Sequence, residues 1–227
     1  MWSYYGSKQK IAKLYPKPLF DTIVEPFAGA AWYSVTHRGK QCILNEKYEV
    51  VVDIWNWLIN QATPEEILEH KDFLLGDDVR ELGLSKPHED LIGFCINRGT
   101  SSPCNIVQKW SCQVKSKPSH ASTTEFSLKR IASLIPEIKH WKILSGDYRE
   151  LPDIEATWFI DPPYQKGGQY YKHNLIDYEE LANWCKSRRG QVIVCENDVA
   201  NWLNFTPLVG ITGQRKKTME TMWTNMK

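Results

Sequence analysis

A repeated pattern, in which a short apolar run leads to an acidic residue, constrains the fold of this chain more than any other feature. Runs of this kind lead to Glu25, Glu46, Asp147, Asp161 and Glu196. Helix-like segments lie between several of the runs, which is the alternation typical of an α/β protein with a mostly parallel sheet. Ligands of such sheets bind where strand ends and helix starts converge, so Glu46, Asp147 and Asp161 mark a candidate binding edge.

The pattern predicts a doubly wound, Rossmann-like α/β sheet with an insertion. Residues 1–59 and 141–227 are predicted to form one domain in two parts, and residues 60–140 an inserted, partly helical subdomain. Segments 207–212 and 218–224 are expected to close the sheet, and an antiparallel edge pair is one way to do so. The expected helices are 9–15, one starting near 27, 50–59, 64–75, 88–96, 125–134 and 178–188.

Composition argues against several classes of protein. The 227 residues are 42% hydrophobic and 24% charged, which is ordinary for a globular protein. No apolar run approaches the roughly 20 residues of a membrane helix, and the N-terminus lacks the apolar core of a signal peptide. The six cysteines form no CxxC pair and the six histidines show no metal-ligand spacing. We therefore expect reduced thiols, no metal, no membrane partner and a cytoplasmic location.

Charge is distributed unevenly along the chain, although the formal net charge is only +1. Residues 64–90 hold nine acids against three bases, whereas residues 97–130 hold six bases against one acid. A basic segment of this kind suits a surface that faces DNA phosphates, and chance clustering on a solvated surface is the alternative. The bases of this segment that we expect to contact DNA are Arg98, Lys109, Lys115 and Lys117.

A glycine-bearing turn after the first predicted strand is a candidate nucleoside-binding element. It reads Phe27-Ala-Gly-Ala-Ala31 and leads into a helix, so the backbone near Gly29 can approach a ligand closely. Glu46 comes 17 positions after Gly29 at the end of the second strand, where a carboxylate suits the two hydroxyls of a ribose. The spacing does not separate a dinucleotide from a nucleoside methyl donor, and an ordinary strand-to-helix turn is the alternative.

The tetrapeptide Asp161-Pro162-Pro163-Tyr164 is the most specific chemical signal in the chain. Its prolines stiffen the backbone and remove two N–H donors, which leaves the Pro162 carbonyl as an acceptor beside the Asp161 carboxylate. These two acceptors can bind both hydrogens of an amino group and direct its lone pair toward an electrophile, while Tyr164 offers a flat face to an extruded base. Such a site positions an amine for in-line attack on a sulfonium methyl group without a metal. A strand that ends in a Pro-Pro turn is the alternative.

Several segments, in order along the chain, resemble motifs of the Dam-type DNA adenine methyltransferases, a family that also occurs in bacteriophage genomes. The likeness covers most of the chain, and Asp161 to Tyr164 corresponds to the family's catalytic tetrapeptide. The other matching segments are Tyr4-Tyr-Gly-Ser-Lys8, Ile23-Val-Glu-Pro-Phe-Ala-Gly29, Leu44-Asn-Glu46, Gly93-Phe-Cys-Ile-Asn97-Arg98-Gly and Ser145-Gly-Asp147.

The resemblance implies an enzyme that transfers a methyl group from S-adenosyl-L-methionine to the N6 amino group of a flipped-out adenine in double-stranded DNA. It implies that Asp161, Pro162, Pro163 and Tyr164 act on the target base, and that Asn97 and Arg98 contact DNA. The residues expected to contact the donor are Tyr4, Lys8, Phe27, Gly29, Glu46, Asp147 and Asp161. The longer hairpin that reads GATC in the best-known members is missing, so that specificity is not implied. A monomer or weak dimer is expected.

Two other functions stay open on the sequence alone. The same chemistry could act on RNA or on another amine, although Asp161 favours adenine because Asn or Ser would favour the other targets. A methyltransferase-like module that binds DNA or a partner subunit with weak or no catalysis is the second alternative. The intact tetrapeptide favours catalysis over that module.

Overall fold

The structure is a computed structural model, and it describes residues 1–70, 72–96, 99–112, 115, 118–212 and 217–226. Contacts between residues divide the chain into two compact units. We call residues 8–48 and 143–227 the sheet unit, and residues 1–7 and 49–142 the helical unit. The division differs from the sequence-based domain boundaries because residues 1–7, 49–59 and 141–142 group with the helical unit.

A seven-stranded sheet has the strand order β3-β2-β1-β4-β5-β7-β6. Its strands are β1 Thr22–Glu25, β2 Gln41–Glu46, β3 Lys142–Ser145, β4 Ala156–Ile160, β5 Gly190–Asn197, β6 Thr206–Thr212 and β7 Lys217–Thr224. β1 pairs in parallel with β2 and β4, and β4 pairs in parallel with β5. β7 is antiparallel to both β5 and β6. The predicted fold class, a doubly wound and mostly parallel α/β sheet, is therefore confirmed.

Burial explains why the central strands read as continuous apolar runs. All five residues of β4 are buried, and six consecutive residues of β5 are buried. Successive side chains of a strand point to opposite faces, so both faces of these strands are covered. β6 lies at the edge of the sheet and carries Pro207 beside a register shift, which suits a residue that cannot donate a ladder hydrogen bond.

Helices occupy much of the rest of the chain. They are α1 Trp32–Thr36, α2 Glu49–Asn60, α3 Pro64–Glu69, α4 Lys86–Cys95, α5 Ser122–Ile138 and α6 Tyr178–Ser187. The helix expected from about residue 27 begins later, because Gly29 and Ala31 both have φ of 45°, a left-handed conformation that an α-helix does not contain. The helix expected at 9–15 is wrong as well, since the segment contains only a 3₁₀ turn at Ala12–Leu14.

The helix expected at 64–75 ends at Glu69 because the chain beyond it pairs with another segment. The N–H of Ala121 donates to the carbonyl of Phe73 at 2.7 Å, and the N–H of Leu75 donates to the carbonyl of Ser119 at 2.8 Å. These bonds satisfy backbone groups that would otherwise extend the helix.

Aromatic side chains fill the interior of the helical unit. The ring of Trp2 lies 5.2 Å from that of Trp55 and 6.3 Å from that of Phe94, and Trp55 lies 5.8 Å from Trp141. All four side chains are buried, so this cluster supplies much of the apolar area that stabilises the unit. Among the described residues, no helix is both long and apolar enough to cross a membrane. The six cysteines are free thiols.

Candidate active site

Asn45 ties together the carboxyl ends of β1, β2 and β3. Its Nδ2 donates to the carbonyl of Pro26 after β1 and to the carbonyl of Gly146 after β3, each at 3.1 Å. The backbone carbonyl of Asn45 accepts from the N–H of Ala28 at 2.9 Å. Because Asn45 is buried, these bonds form largely away from water and hold three strand ends as one edge.

Glu46 supports the glycine turn from the end of β2. Its Oε2 accepts from the N–H of Gly29 at 3.0 Å, and its Oε1 accepts from the N–H groups of Lys47 and Tyr48 at 2.9 and 3.1 Å. Burial raises the pKa of Glu46 above its usual value, and the backbone N–H groups oppose that rise. A carboxylate offers about four acceptor positions, so Glu46 can hold the turn and still accept a ligand hydroxyl.

Asp147, the residue expected to contact the donor's adenine, is held by two cations. Arg149 Nε and Nη2 donate to its two oxygens at 2.7 and 2.9 Å, and Lys47 Nζ donates to Oδ2 at 3.1 Å. The Arg149 guanidinium is the main cause of a pKa well below the usual range for Asp147. A ligand amino group would therefore share this carboxylate, and the adenine-binding role stays a prediction. Phe27, at the start of the glycine turn, packs its ring 5.3 Å from that of Tyr148.

The tetrapeptide follows β4 and is fixed by hydrogen bonds on several sides. The hydroxyl of Tyr178 donates to the carbonyl of Pro163 at 2.7 Å, and the N–H of Gly168 donates to the carbonyl of Tyr164 at 3.0 Å. The hydroxyl of Tyr164 donates to Glu220 on β7. β4 pairs directly with β1, so the tetrapeptide and the glycine turn follow adjacent strands at the point where the strand order reverses.

An ion pair joins Lys8, whose side chain is 7% exposed, to Asp161, whose side chain is 19% exposed. Lys8 Nζ lies 2.8 Å from Asp161 Oδ1, 3.6 Å from Glu220 Oε1 and 4.7 Å from the centroid of the Tyr164 ring. Burial raises the pKa of Asp161 to about 6, although Lys8 opposes that rise. Burial alone would lower the pKa of Lys8, but Asp161 and Glu220 together raise it well above its usual value. The structure thus brings together Lys8, Asp161 and Tyr164, three residues expected at the site from the sequence.

Sequence reasoning missed three residues at this site. Tyr15 donates its hydroxyl to Glu220 Oε1 at 2.5 Å, and Tyr164 binds the same oxygen. Glu196, fully buried at the end of β5, accepts from the N–H of Gln165 at 2.6 Å and so fixes the backbone directly after the tetrapeptide. Tyr15 and Glu220 are 205 residues apart, so no local pattern could have joined them. For Glu196, the available signal was its place as an acid at a strand end.

The remaining predicted site residues belong to the helical unit, where their roles stay predictions. Tyr4 is buried, with its ring edge-on to Phe94 at 5.5 Å. Lys109 and Lys115 are exposed, as a phosphate-binding side chain must be. The other residues expected to contact DNA lie outside the described residues: Asn97, Arg98 and Lys117.

Among the described residues, Asp72, His120 and Glu125 have potential metal-ligand atoms within 4.8 Å of one another. His120 Nε2 lies 3.0 Å from Glu125 Oε2, and Lys129 Nζ lies 2.6 Å from Glu125 Oε1. Lys129, followed by His120, lowers the pKa of Glu125 to about 2. Because a cation would have to displace both partners from Glu125, the group supports no metal assignment.

Comparisons with known proteins leave the family of this chain open. No protein-family model and no curated protein matches it. Among solved structures, the chain is similar to one described as "Putative methyltransferase yhhF from Escherichia coli", with 9% identity and a TM-score of 0.34. That match covers 88% of this chain and 74% of the other chain. A likeness this low carries no functional argument, so function is argued from the geometry of the site.

Proposed function

We propose that the protein is an S-adenosyl-L-methionine-dependent methyltransferase that acts on the N6 amino group of adenine in double-stranded DNA. The observation that carries the proposal is the place of Asp161, whose carboxylate follows β4 directly beside the strand that ends in the glycine turn. Transfer of a methyl group from a bound nucleoside to an amine requires two features on adjacent elements. One is a hydrogen-bond acceptor that holds the amine, and the other is a turn that binds the nucleoside.

The edge formed by β1, β2 and β3 fits the methyl donor. Gly29 has no side chain and adopts a φ of 45°, so the backbone there can approach the methionine part of the donor. Glu46 keeps acceptor capacity for the ribose hydroxyls, and Asp147 supplies a carboxylate for the adenine amino group. When bound, S-adenosyl-L-methionine supplies a methyl group on a positively charged sulfur atom.

Asp161 and Pro162 orient the target amine in this proposal. The Asp161 carboxylate and the Pro162 carbonyl accept its two hydrogens, and Tyr164 stacks on the base with the ring face opposite Lys8. As the new N–C bond forms, the sulfur keeps the electron pair of the broken C–S bond, and the nitrogen releases one proton. Asp161 has a pKa of about 6, so it is a suitable acceptor for that proton near neutral pH.

Two features support DNA as the target. Asp161, rather than Asn or Ser, favours an adenine amino group. The exposed bases Lys109 and Lys115 are suited to phosphate contacts, which position a nucleic acid without reading its sequence. RNA offers the same phosphates, so methylation of RNA is the alternative that an experiment must decide.

The test is a transfer assay with purified protein, labelled S-adenosyl-L-methionine and either unmethylated double-stranded DNA or RNA, followed by digestion to nucleosides. We expect label in N6-methyldeoxyadenosine and none with Asp161→Ala. Asp153→Ala is the matched control, because Asp153 precedes the amino end of β4 and pairs there with Arg189, so this variant should keep full activity. Label in cytosine, or in RNA alone, would refute the assignment. No transfer and no donor binding at high micromolar concentration would favour the DNA-binding or partner module.

A further inference from the structure

Glu220 is a buried carboxylate that shares Lys8 with Asp161. Its side chain is 6% exposed, and its Oε1 lies 3.6 Å from Lys8 Nζ, whereas Asp161 Oδ1 lies 2.8 Å from the same nitrogen. In the antiparallel pairing of β7 with β5, Glu220 lies opposite Asn197, the last residue of β5. Glu220 is therefore at the carboxyl end of β5, on the same edge of the sheet as Asp161, and two carboxylates there face one ammonium group.

This arrangement poses a problem for amine binding at Asp161. The proposed reaction needs the carboxylate to accept a hydrogen from a neutral amine, but Lys8 already donates to Oδ1. Asp161 has acceptor positions for both Lys8 and an amine, but the charged donor binds the carboxylate more strongly and weakens its hydrogen bond to the neutral amine while Lys8 stays in place. Lys8 could not leave for an apolar environment, because a buried charge without a partner is strongly unfavourable. Glu220 offers a second anion within reach.

We propose that Glu220 is a positioning residue that holds Lys8 as a shared counter-ion, so that the ammonium moves from Asp161 toward Glu220 when the target amino group enters the site. The inference rests on the proposed function. The movement is small, since the 3.6 Å separation between Lys8 and Glu220 must shorten only by roughly 0.5–1 Å to become a charged hydrogen bond.

Tyr15 and Tyr164 fix the second position of the ammonium. Both hydroxyls donate to Glu220 Oε1 and hold that oxygen in place. Burial raises the pKa of both phenols above their usual value, so both stay neutral donors at neutral pH. The site therefore holds two anions that are fixed in place and one cation that can move between them.

Other ionisable groups face this cluster and set its background. They are Glu25 from β1, Cys195 and Glu196 from β5, and Tyr171 from the segment after the tetrapeptide. Burial raises the pKa of Glu25 to about 8 and raises the pKa of Cys195 well above its usual value, so neither is predominantly charged at neutral pH. Burial also raises the pKa of Glu196. Because these groups are the same in every variant compared, a change in Glu220 can be measured against a constant environment.

The test compares Glu220→Gln with Tyr15→Phe. The first variant keeps an acceptor for both phenols and removes the charge, whereas the second keeps the charge and removes one donor. In Glu220→Gln, the loss of a nearby negative charge lowers the pKa of Asp161. The acid limb of the pH profile of kcat/KM should therefore move to lower pH by about one unit. We also expect kcat to fall roughly tenfold at neutral pH, because Lys8 then has Asp161 as its main anion. Tyr15→Phe should leave the acid limb in place.

A second readout separates this inference from the proposed function. A ¹³C NMR titration of the Asp161 carboxyl, assigned with Asp161→Asn, needs no substrate and should show the same downward shift in Glu220→Gln. Glu220→Asp keeps the charge and should restore both the titration and the acid limb. If Glu220→Gln does not fold, Glu220→Asn removes the same charge and should show the same downward shift. An Asp161 titration equal in Glu220→Gln and the parent overturns the role of Glu220, even in an active enzyme. A parent protein that methylates no nucleic acid overturns the proposed function, whatever the titration shows.

Discussion

Replacing Lys8 by Met tests the buried ion pair of the candidate site directly. Met nearly matches the length of Lys but has no charge, so Lys8→Met leaves the carboxylates of Asp161 and Glu220 without their shared ammonium. The Lys8 and Asp161 side chains are 7% and 19% exposed, and Lys8 Nζ lies 2.8 Å from Asp161 Oδ1. Removing one partner of a buried pair costs about 3–5 kcal/mol. That is a large part of the free energy of unfolding of a typical domain, about 5–15 kcal/mol.

The loss of stability in Lys8→Met should depend on pH. With Lys8 present the pKa of Asp161 is about 6, and without the ammonium it must rise further, because Lys8 favours the ionised form. Between these two pKa values the folded variant binds a proton that the folded parent does not bind. The deficit should therefore grow as pH rises through this interval, by about 1.4 kcal/mol per pH unit, and shrink as pH falls toward 6.

Urea unfolding at several pH values between 5.5 and 8 measures this deficit, with Lys40→Met as the matched control. Lys40 Nζ lies 2.7 Å from Asp21 Oδ1, a similar distance, but the Asp21 side chain is 99% exposed. Water screens such a pair, so the control should unfold like the parent. Equal losses of stability in the two variants, or a Lys8→Met deficit that does not change with pH, would refute the reasoning.

Two further pairs of substitutions test the backbone around the site. Ala31 has φ of 45°, whereas Ala30 has no such strain, and both methyl groups are buried. Thermal unfolding should therefore show Ala31→Gly to be more stable than Ala30→Gly by about 1–2 kcal/mol. Equal stabilities would show that Ala31 is not strained. A Cβ at Gly168 would lie 3.0 Å from the carbonyl carbon of Pro163, whereas one at Gly167 would meet no atom within 4 Å. Gly168→Ala should therefore displace the tetrapeptide and lower kcat by about 100-fold. Gly167 has φ of 101°, so Gly167→Ala should lower stability but leave kcat unchanged. A similar kcat in both variants would contradict this view of the contact.

The fold could be predicted because its strands are buried on both faces. β4 and β5 contain apolar runs that lead to an acid, and such runs are visible without any tertiary information. The start of α1 could not be predicted in the same way. Alanine has a high helix propensity, yet the left-handed backbone at Ala31 ends the glycine turn and delays the start of α1. Only the surrounding structure imposes this backbone conformation.

The site was predictable where its chemistry is local and not where it depends on contacts distant in the sequence. Asp161 and Tyr164 form one tetrapeptide, and Lys8 was expected from a motif near the N-terminus. Glu220 was not expected, because a single Glu in a strand near the edge of a sheet normally points to solvent. Its burial follows from β7 lying between β5 and β6, an arrangement that depends on strand order and leaves no mark on the residues around Glu220.

The buried charges themselves argue that this edge of the sheet serves a function. Replacing a buried ion pair by well-packed apolar residues is often neutral or stabilising, so stability alone does not account for Lys8, Asp161 and Glu220 in one place. Charged groups with perturbed pKa values that converge at the reactive end of a doubly wound sheet are the arrangement expected of a site for a polar ligand. An amine suits this set, because the Asp161 carboxylate can accept its hydrogens while Glu220 remains as a second anion for Lys8.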